Sequence, residues 1–357
     1  MTTAPTTPPD ADIPRARRHV VARGRSWSLR VPLRTAVVVT ALIVAGLGLI
    51  VVATGTGTYP VAPADVLGVL VGSNTGFDRV VVLDWRLPRA SMAVLVGAAL
   101  GMSGAIFQAL TRNPLGSPDI IGLNVGAYTG ALIGIVVLGG GYYATAGSAL
   151  VGGLVTALVV YLLSFKGGIS GFRLIIVGIA VGAVLSSVNQ WIIIRIDLHA
   201  AVTAAVWQQG SLNGLTWSQA GPMAALVCVS TIALVAMGLR LQILQMGDDV
   251  AGGLGVNANQ ARIGYLLVGT ALVAVAAAAA GPITFIALAA PQIGRRLTGS
   301  AGVSMVPSAA TGAFLLLASD VLAQRAFAPT ELPVGAVTVV FGGMYLVYLL
   351  VAQGRRA

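Results

Sequence analysis

Apolar stretches of membrane-crossing length recur along this chain, separated by short connections rich in polar residues, glycine and proline. A helix needs about 20 residues to cross a hydrocarbon core of about 30 Å. By that measure the pattern predicts ten spans, near residues 35–53, 89–110, 119–138, 144–164, 173–194, 219–239, 263–280, 282–295, 305–323 and 334–352. The eighth is short, and its separation from the seventh is the least defined boundary. An even number of spans places both termini on one side. The expected organisation is therefore a polar tail, residues 1–34, followed by an all-α, ten-helix integral membrane domain, residues 35–353. What remains between the spans is too short for a soluble domain.

The basic residues test that count. Both ends on the cytoplasmic side leaves seven arginines of the tail and nine further basic residues inside, and five outside, which accounts for all 21. Arg79, Arg86, Arg89, Arg195 and Arg325 are the five. A miscounted span would scramble this positive-inside bias, so ten spans with both termini cytoplasmic is the expected topology. The tail opens with MTTAPTTPPDADIP, which lacks apolar periodicity and is expected to be disordered. Its basic part reads as a topology anchor, with contact to anionic lipid as the sharper alternative. A cleaved signal peptide is not expected, since the basic region is long and no small-x-small site follows the first span.

Composition agrees. The chain has 357 residues, 57% hydrophobic and 9% charged, where a soluble domain carries about a quarter charged residues. The net charge of +10 does not point to nucleic acid, because there is no basic face with interleaved aromatics on a soluble fold. Cys228 stands alone, which excludes a disulfide framework or a cysteine metal site. No cofactor is expected.

Within the spans, glycines recur at helical spacing: Gly122, Gly126, Gly130 and Gly134, then Gly97 with Gly101, and Gly178 with Gly182. Lipid gives no hydrophobic drive for helix association, so close backbone approach through small residues has to supply packing. Two connections, residues 54–88 and 195–217, each read as carrying a short helix. His19 and His199 fall outside the spans and read as exposed.

Three function classes can be weighed. An intramembrane serine protease would place its nucleophile in a setting such as GMSG, Gly101 to Gly104, but needs a base that no span supplies. An ion-coupled carrier usually buries ionisable residues at mid-membrane, whereas Asp119, Asp320 and Glu331 sit near predicted span ends. Gln108, Asn124, Asn189 and Gln190 are uncharged; each could line a path or simply bond a neighbouring helix. A permease driven by a separate ATPase needs no phosphate loop, and no GxxxxGK[ST] is present. It does need a projection for the motor. QMGDDVAGGLGV, Gln245 to Val256, is a polar, glycine-rich interruption between two apolar runs. Asp248 and Asp249 there suit a helix start, and the glycines permit a tight turn. An ordinary solvated loop is the alternative.

Five motifs in order then carry a resemblance over nearly all of residues 35–352. They are RLPR at Arg86 to Arg89, GAALGMSGAIFQALTRNPLGSPDIIG from Gly97, GDDVAGGLGV from Gly247, GPITFIALAAPQIGRRL from Gly281, and ELPVGAVTVVFGG from Glu331. The chain resembles permeases of the iron-siderophore and vitamin B12 class of ABC importers, most of all the second permease subunit of ferric-enterobactin-type systems. The resemblance implies a transporter in the cytoplasmic membrane that is not itself an enzyme. It implies a dimer of ten-helix permeases, two ATPase subunits, and a siderophore-binding protein on the outer side. Ferric siderophore is the implied cargo, with vitamin B12 or haem as the alternative within the class.

The same resemblance assigns residues. Gly247, Asp248, Asp249, Ala251, Leu254 and Gly255 match the element that couples to the ATPase. Arg86 and Arg89 match arginines that receive the binding protein; a third family arginine falls at Gln324, with Arg325 next to it. Asn113 and Leu115 match positions near the cytoplasmic gate, joined by Gly171 and Phe172. Gln292 stands where the family often has histidine, a departure that implies a heterodimer with a second permease subunit.

Overall fold

The computed structural model describes residues 19–23, 28–74, 76–165, 171–238, 240–300, 302–326 and 330–354. Among these, each of the ten predicted stretches carries a helix. They are α1 (Leu33–Gly55), α4 (Leu87–Thr111), α5 (Leu123–Val137), α6 (Tyr142–Ser164), α7 (Gly171–Arg195), α9 (Trp217–Met237), α12 (Ala258–Ala280), α13 (Ile286–Thr298), α14 (Met305–Arg325) and α15 (Val334–Gly354). Shorter helices are α2 (Pro63–Leu70), α3 (Phe77–Arg79), α8 (Leu198–Gln208), α10 (Arg240–Gln245) and α11 (Asp248–Gly253), and a π-helical segment, Val80–Arg86, joins α3 to α4. α2 and α8 are the short helices expected in the two long connections.

Seven helices are long and apolar enough to cross a bilayer, among the described residues. α5 and α13 are shorter, with 15 and 13 residues. Both follow irregular backbone, residues 112–122 and 281–285. Such backbone survives at membrane depth only where protein buries it. Gly122 and Gly281 take left-handed φ values, as do the non-glycine residues Arg112 and Phe285. The uncertain boundary between the seventh and eighth stretches is thereby placed: α12 ends at Ala280 and α13 begins at Ile286.

The tail segment expected to be disordered, MTTAPTTPPDADIP, lies outside the described residues. His19–Arg23 and Ser28–Pro32 pair as an antiparallel hairpin. The alternation in HVVAR and SLRVP is compatible with strands. The first 18 residues lie outside the described set. Beyond the hairpin, Arg34 donates from Nε to the Leu297 carbonyl at 2.7 Å, tying the start of α1 to the end of α13.

α4 is the hub. Its central stretch is 78% buried inside the protein, against 6% for α1, so α1 leaves its apolar surface on the outside of the chain while α4 is enclosed. Small residues make the enclosure possible. A Cβ at Gly97 would overlap the Gly312 backbone of α14, one at Gly101 the Ser308 carbonyl, and one at Gly104 the Ala287 carbonyl of α13. Ser103 donates to the Gly269 carbonyl of α12 at 2.7 Å. The GMSG stretch is therefore a helix contact, with its hydroxyl consumed by a neighbour. α5 packs on α6 in the same way, Gly126 against Thr156 and Gly130 against Ser148.

Candidate functional site

The Gln245–Val256 stretch begins at the last residue of α10 and folds around one short helix, α11. Asp248 and Asp249 open α11, after Gly247 at φ 122°, and Gly255 follows it at φ 76°. Those two glycines are required by backbone conformation. Ala251 is fully buried and anchors the turn. Around it Met246, Val250 and Leu254 are exposed at 69%, 44% and 61%. Their i, i+4, i+8 spacing makes an apolar projection from a polar loop. Met246 and Val250 were missed from sequence, although the same spacing was legible.

Asp248 holds this projection to the bundle. Its carboxylate accepts from Arg112 at 2.9 Å and from Arg262 at 2.5 Å. Burial works against the charge, but the Arg262 and Arg112 guanidiniums outweigh it and keep the carboxyl below its ordinary value. Arg112 also donates to the Leu244 carbonyl at 2.9 Å. It caps α4 with φ 51° and directly precedes Asn113. Thus α11, the end of α4 and the next turn share one cation.

That turn contains the expected gate residues. Asn113 Oδ1 accepts from the Leu115 amide at 2.9 Å. Gln292 of α13 donates to the Pro114 carbonyl at 2.8 Å. Gly171 opens α7 against the last turn of α4, where a Cβ would meet Thr111 Cα at 2.7 Å. Leu115 and Phe172 are exposed at 42% and 73%. Asn113, Leu115 and Gly171 therefore gather at the Asp248 end of α4, with Phe172 following Gly171 in the chain. The tie through Arg112 has no signature in the sequence, since the paired residues lie 136 positions apart.

The expected docking arginines lie at the other end of α4. Arg86 donates to the Thr54 carbonyl at 2.9 Å and the Tyr59 carbonyl at 2.6 Å. Arg89 pairs with Asp320 at 2.9 Å and Glu331 at 2.8 Å, and Gln324 donates to Asp320 at 2.8 Å. Arg86, Arg89, Gln324 and Glu331 line one cavity of about 350 Å³. Arg325 is exposed. Neither Arg86 nor Arg89 is an idle surface arm: one staples the α1–α2 connection, and the other neutralises a carboxylate that is 1% exposed.

A helical bundle with a small apolar projection at one end and an arginine-lined hollow at the other belongs, by family and fold, to the ABC-type permease subunits. The fold agrees with a solved metal-chelate type ABC transporter in an inward-facing conformation, at a TM-score of 0.79 and 25% identity over 89% of this chain and 99% of that one. The chain belongs to the FecCD transport family, whose profile matches residues 38–352. It is 46% identical over 330 residues to the ferric enterobactin transport system permease protein FepG of Escherichia coli K12, covering 92% of this chain and 98% of that protein. It is 36% identical over 303 residues to the iron(3+)-hydroxamate import system permease protein FhuG of Bacillus subtilis 168, covering 82% and 90%. The protein is a multi-pass permease of the cytoplasmic membrane and not itself an enzyme.

Proposed function

We propose that this permease imports a ferric-siderophore complex by alternating access, driven by ATP hydrolysis in separate subunits. The carrying observation is the three-way tie of Asp248 to Arg112 and Arg262. Ten spans with both termini cytoplasmic put α11 on the cytoplasmic side, where Met246, Val250 and Leu254 are available to a motor. Gly247, Asp248, Asp249, Ala251, Leu254 and Gly255 form the coupling element. Displacement of α11 pulls on Arg112, and Arg112 adjoins the Asn113–Leu115 turn. A motor stroke thereby reaches the gate without crossing the core, as a lever between two discrete packings.

The complex contains two permease subunits, this chain and a second one, with two ATPases. A siderophore-binding protein docks at the opposite end through Arg86, Arg89 and Arg325. There Glu331, 46% exposed, occupies Arg89 until an acidic residue of the binding protein replaces it. Specificity for ferric siderophore follows the FepG and FhuG likeness.

The test is Asp248→Asn in the full complex in proteoliposomes. Assembly and basal ATPase activity are expected to persist. Stimulation of ATPase by loaded binding protein, and uptake of a ferric tris-catecholate, should fall together by about tenfold or more. Normal stimulation in the variant would overturn the coupling role. Absence of iron uptake by the wild-type complex would overturn the cargo.

A further inference from the structure

The chain reaches α11 through an elbow between α9 and α10, and one side chain closes that elbow. α9 ends at Met237, Gly238 turns the backbone at φ 59°, and α10 runs from Arg240. Helix ends leave carbonyls and amides without intrahelical partners. Two such groups meet one oxygen here. The Leu241 amide, in the first turn of α10, donates to the Tyr265 hydroxyl at 3.2 Å, and that hydroxyl donates to the Gly238 carbonyl at 3.2 Å. A phenol can accept and donate at once, so Tyr265 of α12 pins both sides of the elbow. Tyr265 and Leu241 are both buried, which keeps bulk water from taking the place of the hydroxyl.

α12 also holds the far side of the same segment. Arg262 lies three residues before Tyr265, a spacing that puts both side chains on one face of the helix. It pairs with Asp248, at the start of α11, at 2.5 Å. α12 therefore grips the α10–α11 segment at two points, while Arg112 of α4 takes the Leu244 carbonyl between them at 2.9 Å. About one turn beyond Tyr265, the Gly269 carbonyl accepts from Ser103 at 2.7 Å, which ties α12 to the same enclosed α4. The two grips on α12 differ in kind. The Asp248 side chain is 52% exposed, and its pairing is weakened by water. The Tyr265 bonds lie in the interior, where a hydrogen bond is electrostatically stronger. A segment held firmly at its buried start and loosely at its exposed end turns about the start.

We propose that Tyr265 is a positioning residue of the coupling element: its hydroxyl is the pivot about which α10 and α11 turn, and α12 is a second path by which their displacement enters the bundle. This rests on the coupling role proposed above and extends it. The Arg112 tie explains how a displacement reaches the turn after α4. The pivot explains why a push on Val250 and Leu254 becomes a directed pull on Arg112 and Arg262, where a slack elbow would absorb it.

The experiment uses the full complex in proteoliposomes, with binding protein loaded with a ferric tris-catecholate. Tyr265→Phe, Asp248→Asn and the double variant are compared with wild type for the rate of iron uptake per assembled complex. Phenylalanine keeps the ring and removes both bonds. Loss of the pivot predicts a fall of roughly fivefold in Tyr265→Phe. Residues acting as one unit are not additive, so the double variant should match the roughly tenfold loss of Asp248→Asn, whereas independent effects would multiply to about fiftyfold. A tyrosine that served packing alone would lower the yield of complex and leave the rate per complex unchanged. Wild-type uptake in Tyr265→Phe, a multiplied loss in the double variant, or failure of Tyr265→Phe to assemble would each overturn the pivot, the last because the hydroxyl then serves the fold. Wild-type uptake in Asp248→Asn would instead sink the coupling role on which the pivot rests.

Discussion

At the scale of single residues, charge placement decides most of the outcomes. Asp248 is half-exposed, with side-chain accessibility of 52%, so each of its ion pairs contributes only about 0–1 kcal/mol. Its depressed pKa means the stabilisation is present above the ordinary carboxylate value and fades as pH falls through it, below about pH 4. Coupling should therefore be insensitive to pH between 6 and 8, which binding-protein-stimulated ATPase measured across that range would check. Arg89 is another matter. Removing it leaves Asp320 buried without its cation, a change costing about 3–5 kcal/mol. Arg89→Ala should sharply lower the melting temperature of the purified protein. Arg89→Gln combined with Asp320→Asn should recover a good part, because no unpaired charge remains. Arg86 and Arg89 were legible from the RLPR motif, but their intramolecular partners were not.

At the scale of elements, glycine content predicts which helices touch. The contacts of α4 with α13 and α14 leave no room for a methyl group at Gly104 or Gly101, since backbone carbonyls occupy the space. Gly104→Ala should destabilise the bundle by about 1–3 kcal/mol through overpacking. Gly46→Ala on the exposed helix α1 meets nothing within 4 Å, and the higher helix propensity of alanine should leave it neutral or slightly stabilising. Thermal unfolding of the two variants in detergent separates these outcomes. The four-residue glycine spacing in α5 was readable as a packing face. Its partner, α6, has no signature in that spacing and is given only by the coordinates. α5 and α13 begin later than the hydropathy pattern placed them, because apolar irregular backbone and apolar helix look alike to a hydropathy window.

At the scale of the whole molecule, α4 runs between the proposed docking arginines and the proposed coupling element. With 25 residues at about 1.5 Å per residue it spans roughly 37 Å. Arg89 sits near its start and Arg112 caps its end. An enclosed helix packed against α13 and α14 is suited, under the proposed function, to carrying docking information toward the motor. Shortening the Arg112 side chain should uncouple the ends without unfolding the bundle. Arg112→Ala is expected to retain binding-protein affinity while losing most of the stimulated ATPase, by about tenfold. Loss of both together would show that the arginine matters for folding instead.

The sequence by itself determined that this chain lives in a bilayer, roughly where its helices run, and the family to which it belongs. Those properties are local or cumulative. Hydropathy sums over 20 residues, and motifs keep their order whatever they touch. Tertiary structure alone decided which buried polar residues found a partner. Gln108 and Asn189 are both buried carboxamides on long helices, yet the Gln108 amide meets a carbonyl and the Asn189 amide meets no partner within the chain. Whether a partner comes within 3 Å depends on helices far apart in the chain, and no spacing along the sequence records that distance.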